Sequence, residues 1–189
     1  RTFNLADLFE IVVDTVPERL ALVSGTVRHS YAELEARTNQ LAHYLQSQGL
    51  EPGDHVGLQF YNGHEYFESM LALLKIRCVP ININYRYVSE ELKYLYENAD
   101  LKGLFFPAER AGQVGPALAA APDCRVLIHC DAETAVGIDS AEYEAAADQG
   151  HIDVIRDRLA LDYRHVRVVD VGREGGACEP QVLGVAVRA

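Results

Sequence analysis

The sequence predicts an α/β fold: parallel-sheet βαβ units with helices on both faces. Three observations predict it. Between residues 56 and 128, short apolar runs of strand length alternate with segments of helical periodicity, the pattern of βαβ units around a parallel sheet. The connections between them are short. Of the 189 residues, 49% are apolar, enough to fill a core and to set disorder aside.

Before that rhythm begins, residues 4–13 open on Asn4, a good N-cap. They place Leu5, Leu8, Phe9 and Val12 on one helical stripe at i, i+3, i+4 and i+7. Residues 20–30 read as a hairpin, two alternating apolar runs around Ser24-Gly25. Ser30-Tyr31-Ala32-Glu33 is a capping-box pattern, in which Ser30 and Glu33 satisfy each other's free backbone N–H groups. The helix it starts buries Leu34, Thr38, Leu41 and Leu45. Gly49 suits its left-handed cap, and Pro52 stops it.

The alternation follows. Residues 56–60 are a strand, and Phe67, Met70, Leu71 and Leu74 mark a helix. Residues 79–83 are a strand, in which Pro80 predicts an edge position or a bulge. Leu92, Leu95, Tyr96 and Ala99 mark the next helix. Residues 104–106 are a strand, 108–120 a helix and 126–128 a strand. Each crossover is expected to be right-handed. Residues 140–149 predict a helix and 153–161 another. Residues 166–171 and 182–187 alternate like strands around the loop 172–176.

Charge and composition exclude several classes of function. Seventeen Lys and Arg against twenty-eight Asp and Glu give a net charge of −11, which repels nucleic acid and anionic membrane surfaces. No apolar run approaches the roughly 18 residues of a membrane-spanning helix. The four cysteines, Cys78, Cys124, Cys130 and Cys178, form no C-x-x-C pair and follow no secretory leader. They predict a reduced, cytoplasmic protein. Cys78 and Cys130 read as small buried hydrophobes. The chain opens on Arg1, so some sequence is expected to precede it.

Motifs that carry chemistry are missing. No G-x-x-x-x-G-K-S/T occurs, and none of the three lysines, Lys75, Lys93 and Lys102, lies in a glycine-rich loop. The 172–176 segment is followed by Ala-Cys-Glu-Pro rather than a helix and reads as a turn, with Glu174 and Glu179 set against a phosphate. No G-x-S-x-G is present, and the seven histidines show no H-x-x-x-H spacing. His64 reads as a solvated helix-end residue. Asn62-Gly63 and Asn82-Ile83-Asn84 fall at predicted strand ends, where α/β folds bind ligands; as caps and turn-formers they need no ligand.

Read in order, residues 4 to about 145 resemble the opening of an acyl-CoA synthetase of the fatty-acid–CoA ligase type, an adenylate-forming enzyme. Ser30-Tyr31-Ala32-Glu33-Leu34 is similar to that family's T-Y-x-E-L. Asn39-Gln40-Leu41-Ala42 and Gly49-Leu50-Glu51-Pro52-Gly53-Asp54-His55-Val56 resemble its N-x-x-A and L-G-x-x-x-G-D-x-V. Tyr61-Asn62-Gly63-His64-Glu65-Tyr66 stands where the family has x-N-x-x-E-x. Lys75 to Tyr87, followed by Glu91-Leu92, resembles K-x-G-A-V-x-V-P-x-N-x-x-x and E-L, with Arg77 in place of the usual glycine.

The resemblance implies part of the large N-terminal domain of adenylate-forming enzymes over residues 1–150. Residues 151–189 form a divergent tail, expected to pack on the first part. Its origin stays open between natural divergence, a frameshifted end and later residues joined across a gap. The family reaction is ATP-dependent activation of a fatty acid to an acyl-adenylate, then acyl-CoA, with ATP, Mg2+ and coenzyme A as implied cofactors. The family's phosphate loop ends in P-K-G, yet Pro-Lys never occurs here. No catalytic, cofactor-binding or metal residue carries over. The expectation is a truncated or fragmentary ligase, inactive alone. The alternative is a non-catalytic interaction module that forms a homodimer or pairs with a full-length synthetase.

Overall fold

The computed structural model describes residues 4–131, 135 and 137–149, together with two short strands in the tail. The chain begins with α1 (Leu5–Thr15), the hairpin β1 (Leu20–Ser24) and β2 (Val27–Ser30), and α2 (Tyr31–Ser47). Then come β3 (His55–Leu58), α3 (His64–Lys75), β4 (Val79–Asn82), α4 (Ser89–Ala99) and β5 (Leu101–Pro107). A 3-10 turn (Ala108–Arg110) leads into α5 (Ala111–Leu118), followed by β6 (Val126–Cys130), β7 (Ala141–Glu142) and α6 (Tyr143–Gln149). In the tail, β8 (Arg167–Val169) and β9 (Gly184–Ala186) pair antiparallel. They fall within the two predicted alternating runs. The predicted helix at 153–161 and the loop at 172–176 lie outside the described residues.

Five strands make one sheet in the order β4-β3-β5-β6-β7, and every pairing is parallel. Val56 stands opposite Pro80, and Leu104 opposite Leu127. Pro80 is on the edge strand, where its missing N–H breaks no ladder. The strand pleat sorts the core into two. Val56, Leu58, Phe105 and Ile128 meet Leu41 and Leu45 of α2, Leu73 of α3 and Tyr143 of α6 on one face. Leu101, Leu104 and Phe106 meet Leu92 and Tyr96 of α4 and Val114 of α5 on the other. Helices therefore cover both faces, as predicted.

Local chemistry explains the helix ends. Ser30 Oγ accepts from the Glu33 N–H at 3.2 Å and Glu33 Oε2 accepts from the Ser30 N–H at 2.7 Å, closing the predicted box. The Ser30 N–H, and then the Ser30 hydroxyl, which also donates to Oε2 at 2.9 Å, hold the Glu33 carboxyl below its ordinary pKa. Asn4 caps α1 in the same way with Asp7. Gly49 follows α2 at φ +87°, the left-handed turn for which a glycine was expected.

The helices predicted from the stripes Leu5-Leu8-Phe9-Val12 and Phe67-Met70-Leu71-Leu74 are present, but burial does not follow the stripes. In α1, Ala6, Ile11 and Val13 are buried, and Leu5 is exposed. In α3, Phe67 is likewise exposed, while Glu68, Leu71, Ala72 and Lys75 face inward. The predicted helix at 140–149 begins instead with β7, a fifth parallel strand only two residues long. Its hydrophobic pattern is too short to separate from a helix start.

Arg77 adopts φ +63°, the region in which a β-carbon costs roughly 1–2 kcal/mol. Its N–H bonds Leu74 O and its carbonyl accepts from the Gly53 N–H, which holds the turn from α3 into β4. Here a glycine would remove strain but return about 0.4–1 kcal/mol of unfolded-chain entropy. Arg77→Gly should thus be clearly more stable than Arg77→Val, since β-branched residues fit that region worst. Both replacements lose the arginine side chain, so their difference isolates the backbone. Equal urea midpoints for the two variants would refute the strain.

Candidate functional site

Open α/β sheets take ligands at strand carboxyl ends, above all where neighbouring strands send their connections to opposite faces. That condition is met between β3 and β5. After β3 the chain enters α3, whose Ala72 and Leu73 join the core of one face. After β5 it enters α5, whose Val114 and Ala117 join the other. Tyr61-Asn62-Gly63 leaves β3, and Glu109-Arg110 leaves β5.

The Tyr61 hydroxyl donates to Glu109 across this crevice. That hydrogen bond is the main reason the phenol's pKa lies above its ordinary value. The Tyr85 ring, from the loop after β4, lies 4.5 Å from the Tyr61 ring, and the Arg86 guanidinium stands 5.4 Å from the Tyr85 centroid. Asn84 fixes its own turn: Oδ1 accepts from the Arg86 N–H at 3.0 Å, and its carbonyl from the Tyr87 N–H at 3.1 Å. The turn reading accounts for it. Asn62 and Asn82 stand exposed on the rim, and Gly63 rather than Asn62 is the N-cap of α3.

Beneath the rim lie polar groups that the sequence reading did not single out. Gln59 is fully buried, and its Oε1 accepts from the Tyr96 hydroxyl at 3.0 Å. His129 is also buried, with Nδ1 2.9 Å from Ser140 Oγ. Gln59 Nε2 and His129 Nε2 have no protein partner. The available signal was a polar residue set just before an apolar one at the end of each run, Gln59 before Phe60 and His129 before Cys130.

A second cluster joins β2, α2, α3 and α6 around Glu68, whose side chain is 1% exposed. It accepts from Arg37 Nε at 2.9 Å and the Tyr143 hydroxyl at 2.9 Å, and His29 Nε2 stands 3.4 Å away. Arg37 Nη2 also bonds Glu144 at 3.1 Å. Burial works against the Arg37 charge, but the hydrogen bonds of Glu68 and Glu144 outweigh it and raise its pKa. Burial, then the neighbouring Glu68 charge, pushes the Tyr143 phenol well up. His64 lies 3.3 Å from Glu65 and 3.4 Å from Glu144, so it belongs to this cluster rather than to open solvent.

The hydrogen bonds of this cluster tie α2, α3 and α6 together. Burial pushes the Cys78 and Cys124 thiols up to about 12 and raises Cys130 further, the reverse of an activated nucleophile. Each lysine is committed to carboxylates: Lys75 to Glu10 and Glu35, Lys93 to Glu90, Lys102 to Asp100 and Asp123. Among the described residues, no three His, Cys, Asp or Glu side chains converge as metal ligands. None of the three lysines lies in a glycine-rich loop of the kind that receives phosphates.

Comparison with known proteins gives the chain its context. A family model described as AMP-binding enzyme matches residues 9–166. The 3-oxocholest-4-en-26-oate–CoA ligase of Rhodococcus rhodochrous is 43% identical over 149 residues, which is 77% of this chain and 27% of that protein. The medium/long-chain-fatty-acid–CoA/3-oxocholest-4-en-26-oate–CoA ligase of Mycobacterium marinum is 41% identical over 125 residues, 66% of this chain and 23% of that one. The chain thus spans about a quarter of the length of these relatives. Among solved structures, the anthranilate CoA ligase AuaEII in complex with anthranoyl-AMP superposes with a TM-score of 0.75 at 16% identity, over 80% of this chain and 29% of that one. A long-chain-fatty-acid–CoA ligase from Archaeoglobus fulgidus does so at 0.69 and 21%, over 82% and 31%. At those identities the likeness is one of fold.

Proposed function

The chain belongs to the AMP-binding enzyme family, and on that premise we propose that it is the N-terminal portion of a fatty-acid–CoA ligase, without activity of its own. The observation that carries the reading is the family match over residues 9–166, together with CoA-ligase relatives of which the chain spans about a quarter. The family's reaction would activate a carboxylate with ATP and transfer the acyl group to coenzyme A. The names of the relatives favour medium- or long-chain fatty acids or a sterol side-chain carboxylate as substrate. The matched part is scaffold: strands and helices that support a site whose phosphate donors come from elsewhere in such a chain.

Stabilising charge on the transferring phosphates dominates this kind of chemistry. The chain alone should therefore give background ATP–pyrophosphate exchange with medium- and long-chain fatty acids. Exchange that co-purifies and scales with the 189-residue protein would defeat the proposal. No helix among the described residues is long and apolar enough to cross a membrane; a reduced, cytoplasmic setting is proposed from the thiols of Cys78, Cys124 and Cys130, which are unpaired.

A second reading is a non-catalytic module that forms a homodimer or pairs with a synthetase-like partner, with the tail packed back on the body. The exposure of Leu5, Leu20 and Val23 favours association. Light scattering coupled to size exclusion decides it. A clean monomer at tens of micromolar would remove the homodimer.

A further inference from the structure

Asn62-Gly63 is the single Asn-Gly pair in a chain with six asparagines, and Asn62 has no structural task. It stands exposed after β3, while Gly63 caps α3 without a side-chain hydrogen bond. Among the described residues, neither the Asn62 side chain nor the Gly63 N–H makes a hydrogen bond. Each of the other five asparagines is restrained. Asn4 caps α1 and donates to Leu74 O at 2.7 Å. Asn39 is buried beside Glu35. Asn84 accepts from the Arg86 N–H, and Asn98 donates to Tyr94 O at 2.7 Å. Asn82 is exposed, but it ends β4, and the N–H that follows it, on the β-branched Ile83, bonds Leu58 O at 3.0 Å.

We propose that Asn62 is a site of spontaneous deamidation, with water as the only co-reactant. The Gly63 nitrogen attacks the carbonyl carbon of the Asn62 side chain. The new C–N bond closes a succinimide as the C–NH2 bond breaks, and the proton from the Gly63 nitrogen leaves with the amide as ammonia. Water then opens the ring. Attack at the side-chain carbonyl gives aspartate; attack at the main-chain carbonyl gives isoaspartate, in which the main chain runs through Cβ and Cγ. Burial, a committed amide and a side chain on the following residue all hold this reaction back. Gly63 brings no side chain to obstruct the ring, its N–H is uncommitted among the described residues, and Asn62 stands in water. Both products add one negative charge to the rim of the β3–β5 crevice. As aspartate, that charge precedes the α3 N-terminus, where it is favourable. As isoaspartate, it also adds one main-chain carbon between Phe60, anchored in the core, and α3. That stretch carries the hydrogen bond from Tyr61 to Glu109. The chemistry is independent of any ligase activity.

The test incubates the intact 189-residue chain at physiological temperature and neutral to mildly alkaline pH. Peptide mapping by mass spectrometry locates each exchange of ammonia for water, and a protein isoaspartyl methyltransferase labels isoaspartate. The expected result is conversion at residue 62 ahead of the other five asparagines, faster at higher pH, with isoaspartate among the products. Its rate should lie within about tenfold of that in the same chain unfolded in guanidinium, because an exposed, unbonded loop needs no opening to react. Gly63→Ala should slow it roughly tenfold or more, since a methyl group then obstructs ring closure. That variant should fold: Gly63 has φ −144° and ψ 179°, extended backbone that any residue adopts, and a β-carbon there presses on the flexible Glu65 carboxylate. The comparison of folded with unfolded parent chain does not depend on it. Protection of Asn62 in the folded chain by more than about tenfold overturns the inference, as does equal modification of all six asparagines. Aspartate without isoaspartate, or an unchanged rate in Gly63→Ala, would mean direct hydrolysis instead of ring closure and overturns it as well.

Discussion

Glu68→Ala should lower the stability of the chain by about 3–5 kcal/mol, the range for a buried ion pair broken on one side. The carboxylate is almost inaccessible and receives Arg37, Tyr143 and, at longer range, His29. Truncation leaves the Arg37 guanidinium half-buried with only Glu144 as a carboxylate partner, and leaves the Tyr143 hydroxyl in the core without its acceptor. The loss should be greatest where those partners reside. Tyr143 opens α6, so the amides of Ala146 and Ala147 should exchange faster before the sheet itself opens. Glu144→Ala is the control. Its side chain is half exposed, and screened ion pairs of that kind contribute about 0–1 kcal/mol. For Glu144, burial opposes the charge, but Arg37 and then His64 hold the carboxyl below its ordinary pKa. Its small contribution is therefore present above the unfolded carboxyl pKa and fades as pH falls through the folded one. Urea denaturation of the two variants gives the comparison, and a Glu68→Ala loss under ~1 kcal/mol would show that the cluster is not an anchor.

The parts legible in the sequence were those set by local chemistry or by period. The Ser30–Glu33 box, the left-handed Gly49 and the alternation behind β3 to β6 each follow from a few neighbouring residues, and each is present. The misread parts depend on long-range packing. Nothing local says that Ala6, Ile11 and Val13 rather than Leu5, Leu8, Phe9 and Val12 face the body, because α1 is apolar on both sides. Its inner face is chosen by the docking of Asn4 Nδ2 onto Leu74 O and of Glu10 onto Lys75. β7 was missed because two residues carry no period, and its partners Ile128 and His129 lie thirteen residues earlier in the chain. The site was illegible for another reason. The crevice between β3 and β5 is a property of strand order, and Tyr61, Tyr85 and Glu109 meet only once that order exists.

Lys75→Ala should be the other severe substitution, again about 3–5 kcal/mol. The side chain is fully buried between α1, α2 and α3. Its Nζ lies 2.8 Å from Glu10 Oε1 and 3.0 Å from both carboxylate oxygens of Glu35. Asn39 Nδ2 also approaches Glu35, at 3.4 Å, but an amide cannot neutralise the two carboxylates left behind. Simple loss of packing predicts something different from loss of charge balance, and a second substitution separates them. Lys75→Met keeps most of the volume and should still be costly, because Glu35 remains buried and unneutralised. Adding Glu35→Met removes that charge as well and should recover a large part of the loss, since apolar residues of similar volume often replace a buried ion pair without net destabilisation. Glu10 is the more exposed partner and should tolerate the change by turning towards water. Melting temperatures of the single and double variants, taken as a double-mutant cycle, measure the coupling. If the two substitutions add without recovery, Lys75 acts as a packing residue, and its ammonium contributes nothing that a methyl group could not.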